Sequence, residues 1–567
     1  MRSGMGAWMA ERREALALVV EASLRGLRTI STWPAALRLA MGATPAPALI
    51  LVPQDLRTTD PVRADEIVAG VHVFAGQIVT AEDPFVAEPP TPEWAEALAS
   101  FSWLRHLRAS GTPEAADAAR RRVISWIEAN ARGHRHGTSP LLAAERLRAW
   151  LAASGLLLAG ADQVFYRRFS RALWRQIRQL ELAQPRLAAA SDRLLVLITL
   201  VTAGLCVEGE ARLLARASRR LAAELDRQVL ADGCHIGRDP GVLVGLVLDL
   251  LPLRQLFPAR NVTPPPAIFT AVDRMMPMIR FFQLGDGALA RFNGMGPTAI
   301  DQVATALAYD ETRGLVPGSA PHGGYERLEA GTSLLIVDVG PPPPARDSAS
   351  AHAGCLAFEF SAGREPVVIN CGVPAIHRAT WRSEARKTAA HSTVGVAQRS
   401  SIRLGRGLYT RGLVLSGPRH VERSRNGLVI EASHDGYLDR EGVIHKRTLA
   451  LSASGDRLDG IDRISGSDRP WIARFHLHPA VQLIPTENLR AVLLRLPSGE
   501  GWRFSAEQPI GVEESVALAQ AEGPRRTLQL TVSVASSAAI PQVSWRLERM
   551  VRPRRIGSGD PEPELPL

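Results

Sequence analysis

The hydrophobic periodicity of this chain changes once, and that change constrains the fold more than any other feature. Between residues 92 and 260, apolar residues recur at three- and four-residue spacing, which predicts helices. From about Gly323 the chain shows short alternating runs separated by Gly, Ser and Pro, a pattern typical of strands with one buried face. A chain of 567 residues with this single transition is expected to form a helical half followed by an antiparallel β-sandwich.

Three helix starts can be read directly from capping signals. Thr91, Thr112 and Ser139 each precede a proline, so a hydroxyl can cap the helix and proline can occupy its first turn. The short connections between the apolar segments predict consecutive antiparallel helices. The predicted helices cover residues 114–129, 140–153, 163–182, 193–204, 210–230 and 241–256.

The strand predictions rest on alternation and on turn residues. Pro497, Ser498 and Gly499 predict a hairpin turn between residues 491–496 and 502–505. Other predicted strands cover residues 333–339, 356–360, 367–370, 428–432 and 527–534. The expected domains are a mixed N-terminal extension at 1–90, a helical domain at 91–320, a sandwich at 321–552 and a disordered tail at 553–567.

The positive charge of the chain is carried almost entirely by arginine. The formal net charge is +10, and Lys387 and Lys446 are the only lysines. Because guanidinium forks grip carboxylate, sulfate or phosphate, an acidic polymer is a natural partner, although a coding bias with solvated charge explains the same composition. Two lysines and 5% aromatic residues make nucleic acid an unlikely partner.

We recognise no sequence segment that would identify the cellular compartment of this protein. The apolar run at 15–20 is flanked by Glu14 and Glu21 and lacks a cleavage site, so we expect an amphipathic helix there and not a secretory leader. No window reaches the roughly 18 uncharged apolar residues of a membrane span, so no transmembrane segment is expected. The four cysteines are too few and scattered for a disulfide framework.

A polar loop at 232–240 concentrates groups that could act on an acidic substrate. An unperturbed imidazole titrates near neutrality and a guanidinium stays charged, so His235 and Arg238 together could move a proton and neutralise a carboxylate. A simpler reading makes Asp239 a helix cap with Pro240 in the first turn. That reading leaves Cys234, His235 and Arg238 unexplained.

A second cluster lies among the first predicted strands: His352, then Asn370 with Cys371, then His391 in His391-Ser392-Thr393. Together with the 101–105 segment Phe-Ser-Trp-Leu-Arg and the 232–255 region, this cluster resembles the heparinase II/III family of polysaccharide lyases, in its alphaproteobacterial form. The similarity runs from about Asp60 to Met550.

The resemblance implies an α+β multidomain fold, with an α/α toroid that is an incomplete barrel of helical hairpins, followed by an antiparallel β-sandwich. It further implies a cleft between the two and β-elimination on a uronic-acid-containing polysaccharide, heparin-like or a bacterial exopolysaccharide. No cofactor is required for that reaction. The family suggests the periplasm or cell envelope, whereas the unrecognised leader leaves the cytoplasm as an alternative. Oligomeric state is not addressed by any motif.

The resemblance also implies roles for the first cluster. His235 would stabilise the charge that develops on the substrate carboxylate, with Cys234 where relatives have Asn, Arg238 assisting and Arg254 binding substrate. The family's proton-transferring tyrosine has no counterpart here, because no tyrosine lies between Tyr166 and Tyr309. Tyr325 and Tyr309 could substitute for it; Tyr325 is the one expected to reach the cleft, although a structural tyrosine at a strand edge is the more common case.

Two registers remain open for the second cluster. In one, Ser350 replaces the catalytic histidine and His352 is a zinc ligand with His391, while Asn370 stands where the acidic ligand is expected. In the other, His352 itself is catalytic. A hydrogen-bonded structural histidine pair explains both residues as well as a structural zinc ion does. The missing tyrosine leaves a second function open, a non-catalytic acidic-glycan-binding or envelope-assembly protein on the same scaffold.

Overall fold

The computed structural model describes residues 48–131, 139–187, 190–311, 314–375, 379–406, 410–487 and 489–550, together with Leu16 and Val20. The predicted tail at 553–567, and all of the predicted helix at 15–20 except Leu16 and Val20, lie outside the described residues. The helical half comes first in the chain and the sheets follow.

One helix lies before residue 91, within the predicted mixed N-terminal extension. Thr91, Thr112 and Ser139 each accept a hydrogen bond from a backbone N–H three residues on, at 3.2 Å, so all three predicted caps are confirmed. The helices are α1 Pro61–Val68, α2 Pro92–Ser100, α3 Leu104–Ser110, α4 Pro113–Ala131, α5 Pro140–Ala152, α6 Ser154–Leu158, α7 Gln163–Ala183, α8 Ala190–Cys206, α9 Ala211–Gln228, α10 Pro240–Ala259, α11 Pro266–Phe282 and α12 Ile300–Ala308.

A small hairpin, β1 Val71–Phe74 with β2 Gln77–Thr80, lies between α1 and α2. The remaining strands are β3 Ser319–Ala320, β4 Tyr325–Ala330, β5 Ser333–Asp338, β6 Phe358–Ala362, β7 Glu365–Ile369, β8 Val394–Val396, β9 Arg403–Leu404, β10 Val414–Ser416, β11 Val421–Asn426, β12 Val429–His434, β13 Val443–Leu451, β14 Arg457–Gly466, β15 Trp471–Leu477, β16 Gln482–Pro485, β17 Ala491–Arg495, β18 Gly501–Ala506, β19 Ile510–Ala517, β20 Arg525–Val534 and β21 Gln542–Arg549. Two short helices interrupt them, α13 Ala379–Ala385 and α14 Leu438–Glu441.

Two large antiparallel sheets form from these strands. One runs in the order β19-β20-β15-β7-β6-β5-β4-β3, with β8 also pairing with β15, and the other runs β11-β12-β13-β14-β21-β18-β17-β16. The predicted hairpin around Ser498 is β17 paired with β18. The predicted strand at 356–360 starts two residues late, because Leu356 adopts a positive φ of 59° that a strand cannot contain.

Each half has its own hydrophobic core. The helical core is built from the facing sides of α1 to α12, includes Trp94 and Trp150, and extends to Tyr325, Leu334 and Ile336 on the first strands of the sandwich. The core between the two sheets includes Trp502, Phe504 and Trp545. The loop from α9 to α10, and the sandwich segments 339–357, 370–375 and 386–393, carry the predicted site residues other than Arg254, which lies on α10, and Tyr325, which lies on β4.

The helix α10 is the one helix, among the described residues, that is long and apolar enough to cross a membrane. Most of it is buried inside the protein, as in a core helix. Its charged residue Asp249 pairs with Arg57 and Arg148, each at 2.6 Å.

The sandwich core should be intolerant of added volume at Gly460. A Cβ there would overlap the Trp545 indole on the neighbouring strand. We expect Gly460→Ala to lower the free energy of unfolding by about 1–3 kcal/mol, measured by chemical denaturation.

The matched control is Gly245→Ala on α10, where an added Cβ meets no atom within 4 Å. This change is expected to raise the free energy of unfolding by roughly 0.5 kcal/mol, because alanine loses less entropy on folding. Equal effects of the two substitutions would contradict the packing described for Trp545.

Candidate functional site

A cavity of about 420 Å³ lies between the helical half and the sandwich. Its helical wall comes from the starts of α5, α8 and α10, and its sandwich wall from the 347–352 loop and α13. Gly294 lies between Asp239 and Ser350, where a Cβ would collide with both. The polar lining consists of Ser191, Asp192, His235, Asp239, Asp347, Ser350, His352, Arg382 and Arg386.

His352 and His391 form a hydrogen-bonded pair at the cavity. His391 Nδ1 lies 2.8 Å from the Lys387 carbonyl oxygen and therefore donates to it, which leaves His391 Nε2 as an acceptor. His352 Nδ1, 3.1 Å away, donates to that nitrogen. This chain of bonds assigns the unprotonated lone pair of His352 to Nε2, to which no other group of the described chain is hydrogen-bonded.

Burial keeps both imidazoles neutral. It lowers the pKa of His391 to about 4, and burial together with His391 and Arg386 lowers the pKa of His352 well below its usual value. At neutral pH the cavity therefore contains an imidazole base without a competing proton.

Asn293 fixes the backbone of His352. Its Oδ1 accepts from the His352 N–H at 3.0 Å, and its Nδ2 donates to the Arg238 carbonyl and the Tyr325 hydroxyl, each at 2.9 Å. Asn293 adopts a positive φ of 50°, a conformation that asparagine tolerates well. The position of the base therefore depends on a residue in the loop between α11 and α12.

His235 lines the cavity, but both of its ring nitrogens are occupied. Nδ1 accepts from the Gly237 N–H at 3.0 Å, so Nε2 carries the proton and donates to Gln228 Oε1, also at 3.0 Å. Burial lowers the pKa of His235 to about 4. In this arrangement His235 is a neutral wall residue whose lone pair is already used, so the proton-moving role expected from the sequence does not fit this geometry.

Arg238 does not face the cavity, which corrects the expectation that it holds a substrate carboxylate. Its guanidinium is buried and donates to the carbonyls of Gly323, Gly324, Gly340 and Pro341, at 2.7–3.2 Å. It also pairs with Asp338 at 2.5 Å. These bonds tie the loop before α10 to the first strands of the sandwich.

Comparison with known proteins relates this chain to a protein family. Residues 312–546 match the family model described as heparinase II/III-like, C-terminal. The chain is also 32% identical over 484 residues to FtsZ-localized protein C of Caulobacter vibrioides, across 79% of this chain and 81% of that protein. The chain belongs to the heparinase II/III-like family.

Solved structures of this family share the fold. Heparinase III superposes with a TM-score of 0.66 at 13% identity, covering 91% of this chain and 89% of that one. The heparan sulfate lyase HepC mutant from Pedobacter heparinus gives a TM-score of 0.59 at 14% identity, covering 95% and 88%. The predicted fold class, an α/α toroid followed by an antiparallel β-sandwich, is confirmed.

In this heparinase-like chain, Tyr325, which the sequence suggested as a proton-transfer group, does not line the cavity. The Tyr325 hydroxyl donates to the Arg238 carbonyl at 2.8 Å, accepts from Asn293, and is fully buried away from the cavity. Burial raises its pKa well above the usual value. Its aromatic ring stacks under the Arg238 guanidinium, so the structural interpretation is the better one.

Cys234 and Arg254 also lie outside the cavity wall. The Cys234 sulfur is buried beside Met278 Sδ, at 3.6 Å, and burial raises the pKa of this thiol well above its usual value. Arg254 stacks on Phe269 on the helical half. Neither side chain is placed to bind a ligand in this cavity.

The residues expected to hold zinc do not form a three-ligand set in the described chain. His352 Nδ1 and His391 Nε2 are hydrogen-bonded to each other, and Asn370 instead bonds to Glu359 and the Ser392 N–H. Among the described residues, no group of three or more His, Cys, Asp or Glu side chains could hold an ion. The histidine pair is the alternative that the sequence left open.

Sequence reasoning missed the charged part of the wall. Asp239 was expected only to cap α10, and its Oδ1 does accept from the Gly241 N–H at 3.0 Å, but the carboxyl also lines the cavity. Burial raises its pKa to about 6. Arg382, on α13, and Arg386, just after α13, line the same cavity from the sandwich side. Nothing in the sequence separates these two from the other arginines.

The Arg238 contacts predict a large effect on folding. Arg238→Gln should leave Asp338 buried without its partner and lower the free energy of unfolding by about 3–5 kcal/mol, measured by denaturant titration. The matched control is Arg254→Gln, which removes only a stacking contact on one half. A loss below about 1 kcal/mol for Arg238→Gln would contradict the role assigned to these bonds.

Proposed function

We propose that this protein cleaves a uronic-acid-containing polysaccharide by β-elimination in the cavity between toroid and sandwich. The observation that carries the proposal is the free Nε2 lone pair of His352 at the wall of a cavity that also presents arginine side chains. The heparan sulfate lyases among the structural relatives support the substrate class.

The reaction needs three groups, and the cavity supplies a candidate for each. Arg382 and Arg386 would neutralise the uronate carboxylate, which makes the adjacent C5–H more acidic. His352 Nε2 would take the C5 proton, and the electron pair of that bond would form the C4–C5 double bond. The C4–O bond would break, and its oxygen would receive the proton of the Asp239 carboxyl.

Burial prepares both proton-transfer groups for these roles. It holds His352 neutral, as a base must be, and it raises the pKa of Asp239 to about 6, so that a fraction of the carboxyl is protonated near neutrality. The described residues that line the cavity include no tyrosine. The carboxylic acid of Asp239 would therefore take the place of a tyrosine phenol in protonating the leaving group.

The base can be tested by His352→Asn. The Asn side chain can still donate to His391 through an amide N–H but has no basic nitrogen, so we expect formation of the unsaturated uronate to fall by about 10²–10⁴-fold. Product is measured by its ultraviolet absorbance. His420→Asn, at an exposed histidine, is the matched control and should retain the wild-type rate. Retention of the rate by His352→Asn would remove His352 from the reaction.

The acid can be tested by pH dependence. His352 is neutral at all pH values above its depressed pKa, so the only loss near neutrality should come from Asp239, which loses its proton as pH rises through about 6. The turnover rate is expected to be highest below pH 6 and to fall above it. Asp239→Asn should lower the rate and abolish this pH dependence. A rate that rises between pH 6 and 8 would contradict Asp239 as the acid.

A second candidate function is recognition without cleavage. Three observations favour it: His235 has no free nitrogen, Tyr325 is structural, and the Caulobacter relative is named for its localisation with FtsZ. On this alternative the chain would bind an acidic glycan at the cell envelope and act in envelope assembly. Calorimetric binding of acidic glycans, without unsaturated product and weakened by Arg382→Gln, would establish recognition in place of cleavage.

A further inference from the structure

A second cavity, of about 350 Å³, lies inside the helical half. Its walls are the sides of α5, α8 and α10 that face one another, together with residues 53–57 and the start of α3. Ser102 and Arg105 of the 101–105 segment, whose role the first cavity does not explain, both line it. Its six charged groups are Asp55, Arg57, Arg105, Glu145, Arg148 and Asp249.

The ion pairs inside this cavity join three arginines to two aspartates. Asp249 accepts from Arg57 and from Arg148, each at 2.6 Å. Asp55 faces Arg105 at 3.5 Å and Arg57 at 3.7 Å. The three guanidinium groups and the two aspartates sum to one positive charge, which the Glu145 carboxyl balances when it is ionised.

Several hydrogen-bonding groups that line the cavity are unused within the described chain. Arg105 is bonded only through Nε, which donates to the Ser102 carbonyl at 2.8 Å, and Arg148 only through Nη1. No described group bonds to the Glu145 carboxyl, whose pKa is raised by burial. The other guanidinium nitrogens of Arg105 and Arg148, together with the Glu145 carboxyl, thus have no hydrogen-bond partner within the described chain.

Pro252 adds a backbone acceptor to the same wall. Because proline has no N–H, the carbonyl of Leu248 lacks the helical donor that another residue at 252 would supply. Leu248 and Pro252 both line the cavity. Donors on one side and acceptors on another are what a hydroxylated, carboxylate-bearing ligand requires.

The second cavity lies beside the first along two shared helices. On α5, Leu141 lines the first cavity and Glu145 the second; on α8, Ser191 lines the first and Leu195 the second. Each pair is four residues apart, which is about 6 Å along a helix. A single extended ligand could therefore reach both.

We propose that the second cavity is a subsite for another uronate residue of the same glycan chain. Its carboxylate would be held by Arg105 and Arg148, and its hydroxyls would donate to Glu145 and the Leu248 carbonyl. This inference rests on the proposed function, because it takes the chain of the first cavity as its ligand.

The test uses the full-length protein and an octasaccharide of alternating glucuronate and N-acetylglucosamine, with His352→Asn present throughout to prevent cleavage. Isothermal titration calorimetry compares this background with added Arg105→Gln, Glu145→Gln and Arg382→Gln. We expect each addition to weaken binding about tenfold. Arg171→Gln, at an exposed arginine on α7, should leave binding unchanged. Glu145→Gln changes hardly any volume, so it serves if Arg105→Gln fails to fold.

The outcomes separate the two proposals. If Arg382→Gln weakens binding while Arg105→Gln and Glu145→Gln do not, the subsite is wrong and the first cavity still binds glycan. If the octasaccharide does not bind, a subsite for one glycan chain is wrong, and free glucuronate is titrated instead: binding lost in Arg105→Gln but kept in Arg382→Gln would indicate a separate uronate site in the second cavity and would count against the proposed function. Absence of glucuronate binding as well overturns both.

Discussion

The joint between toroid and sandwich depends on the buried guanidinium of Arg238. A buried cation is tolerated only when its donors are satisfied, and here four carbonyls and Asp338 satisfy them. The carbonyl of the same residue accepts from Tyr325 and Asn293, and Asn293 holds His352. One residue thus connects the two halves and, through its carbonyl, the position of the candidate base.

The cavity gains its chemistry from burial more than from unusual residues. Desolvation disfavours charge, so it lowers the pKa of His352 and raises that of Asp239. These opposite shifts leave the His352 imidazole unprotonated and a fraction of the Asp239 carboxyl protonated near neutrality. The two arginines on the opposite wall remain charged and supply the attraction for an anion.

The sequence predicted the fold well, because periodicity and helix caps are local signals; the caps at Thr91, Thr112 and Ser139 are examples. It also located the polar loop and the histidine pair. It could not assign roles within them, because Arg238 and Tyr325 are committed to contacts with residues about 90 to 100 positions away. Arg382 and Asp239 were missed for the same reason, since only the folded chain brings α13 opposite α10.

The bonds of Arg238 have a consequence for how this scaffold can diverge. They fix the shape of the cleft without contributing any atom to its wall. Substitutions at His352, Asp239 or Arg382 can therefore accumulate over evolutionary time while the groove itself persists. A lineage can lose an enzymatic reaction and keep an intact surface, which makes this architecture a ready source of proteins recruited to new cellular roles.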